Sequence, residues 1–163
     1  MMSQGDGPIK VLLIEDDPSY TDLLRSRLRH EGIPSFEVTS LPTLSQALAY
    51  LPQNPVHVCL LDLTLPDSKG FETFSKIKPL IADVPVIILS GLDDVNLSLQ
   101  AVREGAQDYL VKSELAGRML GRVIRYAIER HRLAKALDQT TQELRELNAR
   151  LNVLAHIDPL TEL

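Results

Sequence analysis

Five short apolar runs, each passing into a stretch with helical spacing, restrict this chain to an alternating β/α architecture. The runs cover residues 10–14, 36–39, 56–61, 84–89 and 108–111. They carry the β-branched and aliphatic residues of buried strands. Helical spacing follows in Leu23, Leu24 and Leu28, then in Leu44, Ala47, Leu48 and Leu51. Phe71, Phe74 and Ile77 mark a third helix, and Val95, Leu99 and Val102 a fourth. Asp17-Pro18 is a helix-start signal, because aspartate caps free amides and proline suits the first helical position. Pro42 is expected to open the second helix and Asp93 to cap the fourth, while Gly32 and Gly105 stop the first and fourth. Five alternations predict a doubly wound α/β fold, with a parallel sheet and helices on both faces.

In open sheets of this class, chemistry gathers outside the carboxyl ends of the strands. Glu15 and Asp16 follow the first apolar run, Asp62 the third, Ser90 the fourth and Lys112 the fifth. Leu65-Pro66 and the residues from Ser68 to Gly70 force a turn directly after Asp62. Three crowded carboxylates repel, and one stays protonated unless a cation is present. An all-oxygen donor set favours Mg²⁺, or Mn²⁺, with coordination positions left for water and phosphate oxygens. Asp62 is then placed to attack phosphorus and form an acyl phosphate. Lys112 offers a point charge and the Ser90 hydroxyl a hydrogen bond to phosphoryl oxygens. Taken singly, an aspartate at a strand end is a turn former and a lone lysine a surface charge; convergence at the ends of four strands gives them weight.

A chain of 163 residues has room for one α/β domain and an addition to it. The formal net charge of -5 argues against a nucleic-acid surface. The single cysteine, Cys59, lies inside the third strand, cannot form an internal disulfide, and reads as a structural thiol in a reducing compartment. Residues 1–8 read as a disordered lead-in without the basic and apolar regions of a signal peptide. No apolar run approaches the ~20 residues needed to cross a bilayer. The expectation is a cytoplasmic protein with no membrane or nucleic-acid partner.

Beyond residue 114 the pattern changes, and residues 122–155 read as one uninterrupted helix. Leu133, Leu137, Thr140, Leu144, Leu147, Leu151 and Leu154 recur at steps of four and three, a heptad seam with one polar position. From first to last the seam spans roughly 30 Å at ~1.5 Å per residue, about the width of a small domain. Leucines beyond that reach need a partner, which predicts a homodimer through this coiled-coil helix. The alternative is an amphipathic helix packed on its own domain. Arg118, Arg122, Arg125, Arg130, Arg132 and Lys135, relieved by Glu129, form either a solvated face or a contact for acids of a neighbouring domain.

The quoted residues carry a family resemblance. Residues 9–128 resemble the receiver domain of two-component response regulators. The match lies in Glu15 and Asp16 after VLLI, in Asp62, Pro66 and Gly70 of DLTLPDSKG, in Ser90 of PVIILSG, and in Tyr109 and Lys112 of GAQDYLVK. The resemblance implies a flavodoxin-like five-stranded sheet in the order 2-1-3-4-5. It implies that Asp62 is the phosphoacceptor, charged from a phosphohistidine on a sensor histidine kinase or a phosphotransfer protein. It also implies that Asp16 and Asp62 bind Mg²⁺ directly, that Glu15 acts through water, and that the backbone carbonyl of Thr64 is a further ligand. Ser90 and Tyr109 are then the coupled switch pair. Glutamate at position 15 and serine at position 90 are variations that keep the needed groups.

Residues 154–161, LAHIDPLT, resemble the opening of a GGDEF diguanylate cyclase domain, through Asp158, Pro159, Leu160 and Thr161. This divides the chain into a receiver (9–128), a signalling helix (129–156) and the start of a truncated output domain (157–163). No GG(D/E)EF loop is present in these residues, so they are expected to form a phosphoacceptor and not an enzyme. Two other classes compete. A haloacid-dehalogenase phosphatase wants a second acid two residues after its aspartate, where this chain has Thr64. A non-phosphorylated dimerisation scaffold would have no use for Glu15, Asp16, Asp62, Ser90 and Lys112 together.

Overall fold

Strand β1 (Ile9–Ile14) is buried from Val11 onward and pairs in parallel on both sides, with β2 (Phe36–Leu41) and with β3 (Val58–Asp62). The computed structural model describes residues 7–117 and 120–156. Strands β4 (Val86–Ser90) and β5 (Asp108–Val111) complete a parallel sheet in the order β2-β1-β3-β4-β5. The central strands β3 and β4 are buried at every position, as continuous apolar runs require when both faces of a sheet are covered.

Alternation along the strands divides the core in two. Leu12, Ile14, Cys59, Leu61 and Ile88 pack with α2 (Leu44–Tyr50), α3 (Phe71–Ile77) and α4 (Val95–Arg103). Leu13, Leu60, Ile87, Leu89 and Leu110 face α1 (Pro18–Arg29) and the first turns of α5 (Leu120–His156). Cys59 is buried and free, and burial pushes its thiol up to about 12, well away from reactive thiolate chemistry.

Helix α1 begins as the sequence predicts: Asp17 accepts hydrogen bonds from the amides of Ser19 and Tyr20, and Pro18 occupies the first turn. The second helix starts later than Pro42, since Thr43 is its cap and accepts from the Gln46 amide. Strand β2 runs on to Leu41 because β1 offers pairing partners as far as Ile14. Asp93 caps nothing. It lies in a 3-10 turn, Leu92–Asp94, and α4 begins at Val95 without a side-chain cap. Two of the leucines that mark the helical spacing, Leu23 and Leu99, are exposed, and the small residues Ser98 and Ala101 pack inward on α4.

The start of α5 is tied to the loop between α1 and β2. Arg125 donates to the carbonyl oxygens of Glu31 and Pro34, and its guanidinium lies 4.7 Å from the centre of the Phe36 ring. The Gly121 amide donates to the Glu31 carboxylate. A Cβ at Gly121 would meet Phe36 Cε2 at 2.9 Å and Glu31 Cβ at 3.0 Å, so glycine is needed there for close approach. Arg125 is thus neither on a solvated face nor among acids of another domain; its partners are carbonyls and a ring. Arg122 donates to the Tyr126 hydroxyl and Arg132 pairs with Glu129, while Arg118 lies outside the described residues.

The contacts divide the chain into two units, the first ending at Ile128 and the second beginning at Glu129. In the second unit the described residues are helical to His156. Its seam leucines, from Leu133 at 51% to Leu137 at 66% exposure, lie open along one helix. Leu144, Leu147 and Leu151 line a shallow apolar groove with Thr141 and Asn148. No described helix is long and apolar enough to cross a membrane.

Candidate functional site

The register of the sheet sets the site out as a staircase. Ile14 pairs with Leu61, so Glu15 and Asp62 are the next residues on neighbouring strands. Asp62 pairs with Leu89, one residue before Ser90, and Ser90 pairs with Val111, one residue before Lys112. All strands run the same way, so these polar groups emerge together at one edge.

Lys112 joins the acids. Its Nζ donates to Asp62 Oδ2 at 2.8 Å and stands 2.6 Å from Glu15 Oε2 as an ion pair. Asp62 Oδ1 accepts the Thr64 amide at 2.9 Å, which fixes the carboxylate plane from the side of the turn. Glu15 Oε1 accepts the Asp17 amide at 3.1 Å. Glu15 and Asp62 are buried, Asp16 is exposed, and one carboxylate oxygen from each of the three lies within 4.8 Å of the others.

Burial, with the nearby Asp62 charge adding to it, pushes the Glu15 carboxyl up to about 7 against the opposing pull of Lys112. Burial acts to lower the Lys112 ammonium. The hydrogen bond to Asp62 and the pair with Glu15 outweigh it and hold the lysine above its ordinary range. One ammonium therefore serves two buried carboxylates, and the third acid adds further negative charge beside them. Such a set fits a hard divalent cation such as Mg²⁺ or Mn²⁺, because all donors are oxygen. The Ser90 hydroxyl oxygen is buried at the same edge with no hydrogen-bond partner among the described residues.

The structure thus brings together Glu15, Asp16, Asp62, Thr64, Ser90 and Lys112. Tyr109 stands apart from them. From β5 it pairs with Ile88 of β4, joins the α4 side of the core, and lines a cavity of about 310 Å³ with Leu92, Val95 and Val111. No hydrogen bond links it to Ser90, whose hydroxyl is unpartnered.

Two residues of this region escape the strand-end pattern. The Tyr20 ring, in the first turn of α1, has Lys112 Nζ 4.8 Å from its centroid. Asp67, in the turn after Asp62, accepts from the amides of Leu44 and Ser45 and from the Ser45 hydroxyl, so the turn is pinned to the start of α2. The hydrogen bond from the Ser45 amide holds the Asp67 carboxyl below its usual range. A turn-forming Pro-Asp pair hints at Asp67, but nothing local in the sequence points to Tyr20.

Comparison with known proteins agrees with this geometry. The model of the response regulator receiver domain matches residues 11–124. The C4-dicarboxylate transport transcriptional regulatory protein DctD of Pseudomonas aeruginosa is 34% identical over 149 residues, 90% of this chain and 31% of that protein. The KDP operon transcriptional regulatory protein KdpE of Escherichia coli is 34% identical over 128 residues, 78% of this chain and 55% of that protein. The chain thus spans between about a third and about a half of the length of these two relatives. A solved response regulator receiver domain protein from Clostridium thermocellum superposes with a TM-score of 0.67 at 28% identity, covering 77% of this chain and 98% of that one. With the matched residues spanning all five strands and every group of the acidic edge, the chain belongs to the response regulator receiver domain family.

Proposed function

We propose that Asp62 is the phosphoacceptor of a two-component signalling switch, charged by a sensor histidine kinase or a phosphotransfer protein. The observation that carries this is the meeting of Asp62 and Lys112, 50 residues apart in sequence, beside two further acids. In the transfer, an Asp62 carboxylate oxygen forms a bond to phosphorus as the phosphorus–nitrogen bond of a phosphohistidine breaks. The electron pair of that bond returns to the imidazole. Lys112 is poised to follow the developing charge on the phosphoryl oxygens, and the unpartnered Ser90 hydroxyl is poised to donate to one of them. Asp16, Asp62, the Thr64 carbonyl and, through water, Glu15 would hold Mg²⁺. The cation supplies charge neutralisation between Asp62 and the incoming phosphoryl group. Tyr109 would report the Ser90 state to the cavity beside β5 and α4.

The same reading takes residues 9–128 as the receiver and 129–156 as a helix that pairs with a second copy of itself. Each leucine left in water forgoes roughly 1.5–3 kcal/mol, and the six of the seam share one stripe. The protein would act in the cytoplasm. For the output, the LAHIDPLT resemblance favours a diguanylate cyclase making cyclic di-GMP. Asp158, Pro159, Leu160 and Thr161 lie outside the described residues. The relatives named as transcriptional regulators favour a DNA-directed output instead. Synthesis of cyclic di-GMP from GTP by the whole protein separates the two.

The deciding experiment for the receiver is incubation with acetyl phosphate and Mg²⁺ followed by intact mass. A gain of one phosphoryl group, absent in Asp62→Ala, is the expected result. Unmodified wild-type protein would leave the dimerisation-scaffold reading in its place.

A further inference from the structure

Lys112 Nζ has three walls: Glu15, Asp62 and the face of Tyr20, whose ring centroid is 4.8 Å away. Tyr20 stands three residues after the Asp17 cap, packs partly buried against the α1 side of the core, and faces the acidic edge. Its hydroxyl oxygen is buried with no hydrogen-bond partner among the described residues. Burial, reinforced by the Glu15 and Asp62 charges, pushes that phenol above its ordinary range, so it stays neutral. A phenol with neither a partner nor a charge contributes through its ring alone.

The ring matters because of what happens to the other two walls. A lysine ammonium is a compact charge on a flexible four-carbon stem. Glu15 and Asp62 hold it while they are free, and the proposed function engages both with a cation before the phosphoryl group, with its own oxygens for Lys112, arrives. Their hold on Lys112 then weakens, whereas the attraction of the aromatic face persists.

We infer that Tyr20 is a positioning residue for Lys112, and that its ring face, not its hydroxyl, keeps the ammonium at Asp62 when a cation engages the carboxylates and the phosphoryl group has yet to arrive. This rests on the phosphoacceptor reading. It makes Tyr20 part of the phosphoryl-binding arrangement without touching the phosphoryl group.

The test compares Tyr20→Phe, which keeps the ring, with Tyr20→Leu, which removes it, each alone and combined with Lys112→Ala. The probe is beryllofluoride titrated in the presence of Mg²⁺, with acetyl phosphate labelling of wild type alongside. Tyr20→Phe is expected to bind within about twofold of wild type, and Tyr20→Leu about three- to tenfold more weakly, the range a cation–π contact supports. In the Lys112→Ala background, Tyr20→Leu is expected to add nothing, because the two act as a unit. A metal-free readout accompanies these: the Lys112 Cε protons, shifted upfield by the ring in wild type and Tyr20→Phe, lose that shift in Tyr20→Leu.

Equal binding by Tyr20→Leu and wild type overturns the inference. So does a loss in Tyr20→Phe as large as in Tyr20→Leu, or an undiminished effect in the Lys112→Ala background. Wild type that neither takes a phosphoryl group nor binds beryllofluoride overturns the phosphoacceptor reading instead, and the upfield shift still decides where the ammonium sits. Should Tyr20→Leu fail to fold, Tyr20→Met makes the same comparison.

Discussion

Lys112 Nζ meets Asp62 Oδ2 at 2.8 Å with the whole of β4 lying between their two strands. The contact can exist only after β3, β4 and β5 have paired in register, because Lys112 is one residue past the partner of Ser90. It is the cheapest indicator that the edge is assembled. Lys112→Ala leaves Glu15 and Asp62 buried without their cation, a loss of about 3 kcal/mol for a desolvated pair. Urea unfolding in chelator at pH 7.5 measures it, and millimolar Mg²⁺ is expected to restore most of the difference.

Glu15 gives the metal-free protein a pH dependence whose sign is opposite to that of an ordinary paired acid. Its folded value, about 7, lies above the 4.5 of a free glutamate. The folded state therefore binds the proton more tightly, and stability present below pH 4.5 is lost as the pH rises through 7. On the order of 3 kcal/mol should disappear over that window. Glu15→Gln, neutral at every pH, should flatten this slope in chemical denaturation at pH 5 and pH 8.

Asp67 behaves the other way. Its carboxyl is held low by the amides of α2, so the contribution is present above about pH 4 and lost as the pH falls. Asp67→Ala should raise hydrogen exchange at the Leu44 and Ser45 amides, while the amides of β4 stay protected.

Gly121 is the second residue of α5, where the helix-forming advantage of alanine is at most about 1 kcal/mol. The added methyl would press on Phe36 and Glu31, and overpacking of that kind costs about 1–3 kcal/mol. The clash should win, and Gly121→Ala should lower the unfolding midpoint in thermal denaturation.

The helix beyond Ile128 is the place to look for self-association. A lone amphipathic helix is marginal in water. Its helicity should therefore rise with protein concentration in circular dichroism. Leu144→Asp should abolish that rise and sediment as a monomer, leaving the receiver intact.

The strand ends were legible because each polar group terminates its own apolar run, and a parallel sheet converts that repeated local pattern into convergence. Asp93 looks like a cap in sequence, but the short 3-10 turn Leu92–Asp94 shifts the helix start to Val95. Helical spacing includes Leu23 and Leu99 but does not say which leucines of a stripe the sheet covers, and these two are exposed. Tyr20 went unseen because its contact with Lys112 joins residues 92 apart in sequence, and no period encodes that. Arg125 was counted with its charged neighbours, although its carbonyl partners lie in a loop that no charge pattern marks.

Because the groups of the acidic edge are dealt out over four strands, from Glu15 to Lys112, no contiguous stretch of this chain contains the edge. A ribosome that has made β1 through β4 has produced the three acids and the hydroxyl but not the ammonium that reconciles them. The acidic edge is therefore completed all at once, with the docking of the last and shortest strand of the sheet.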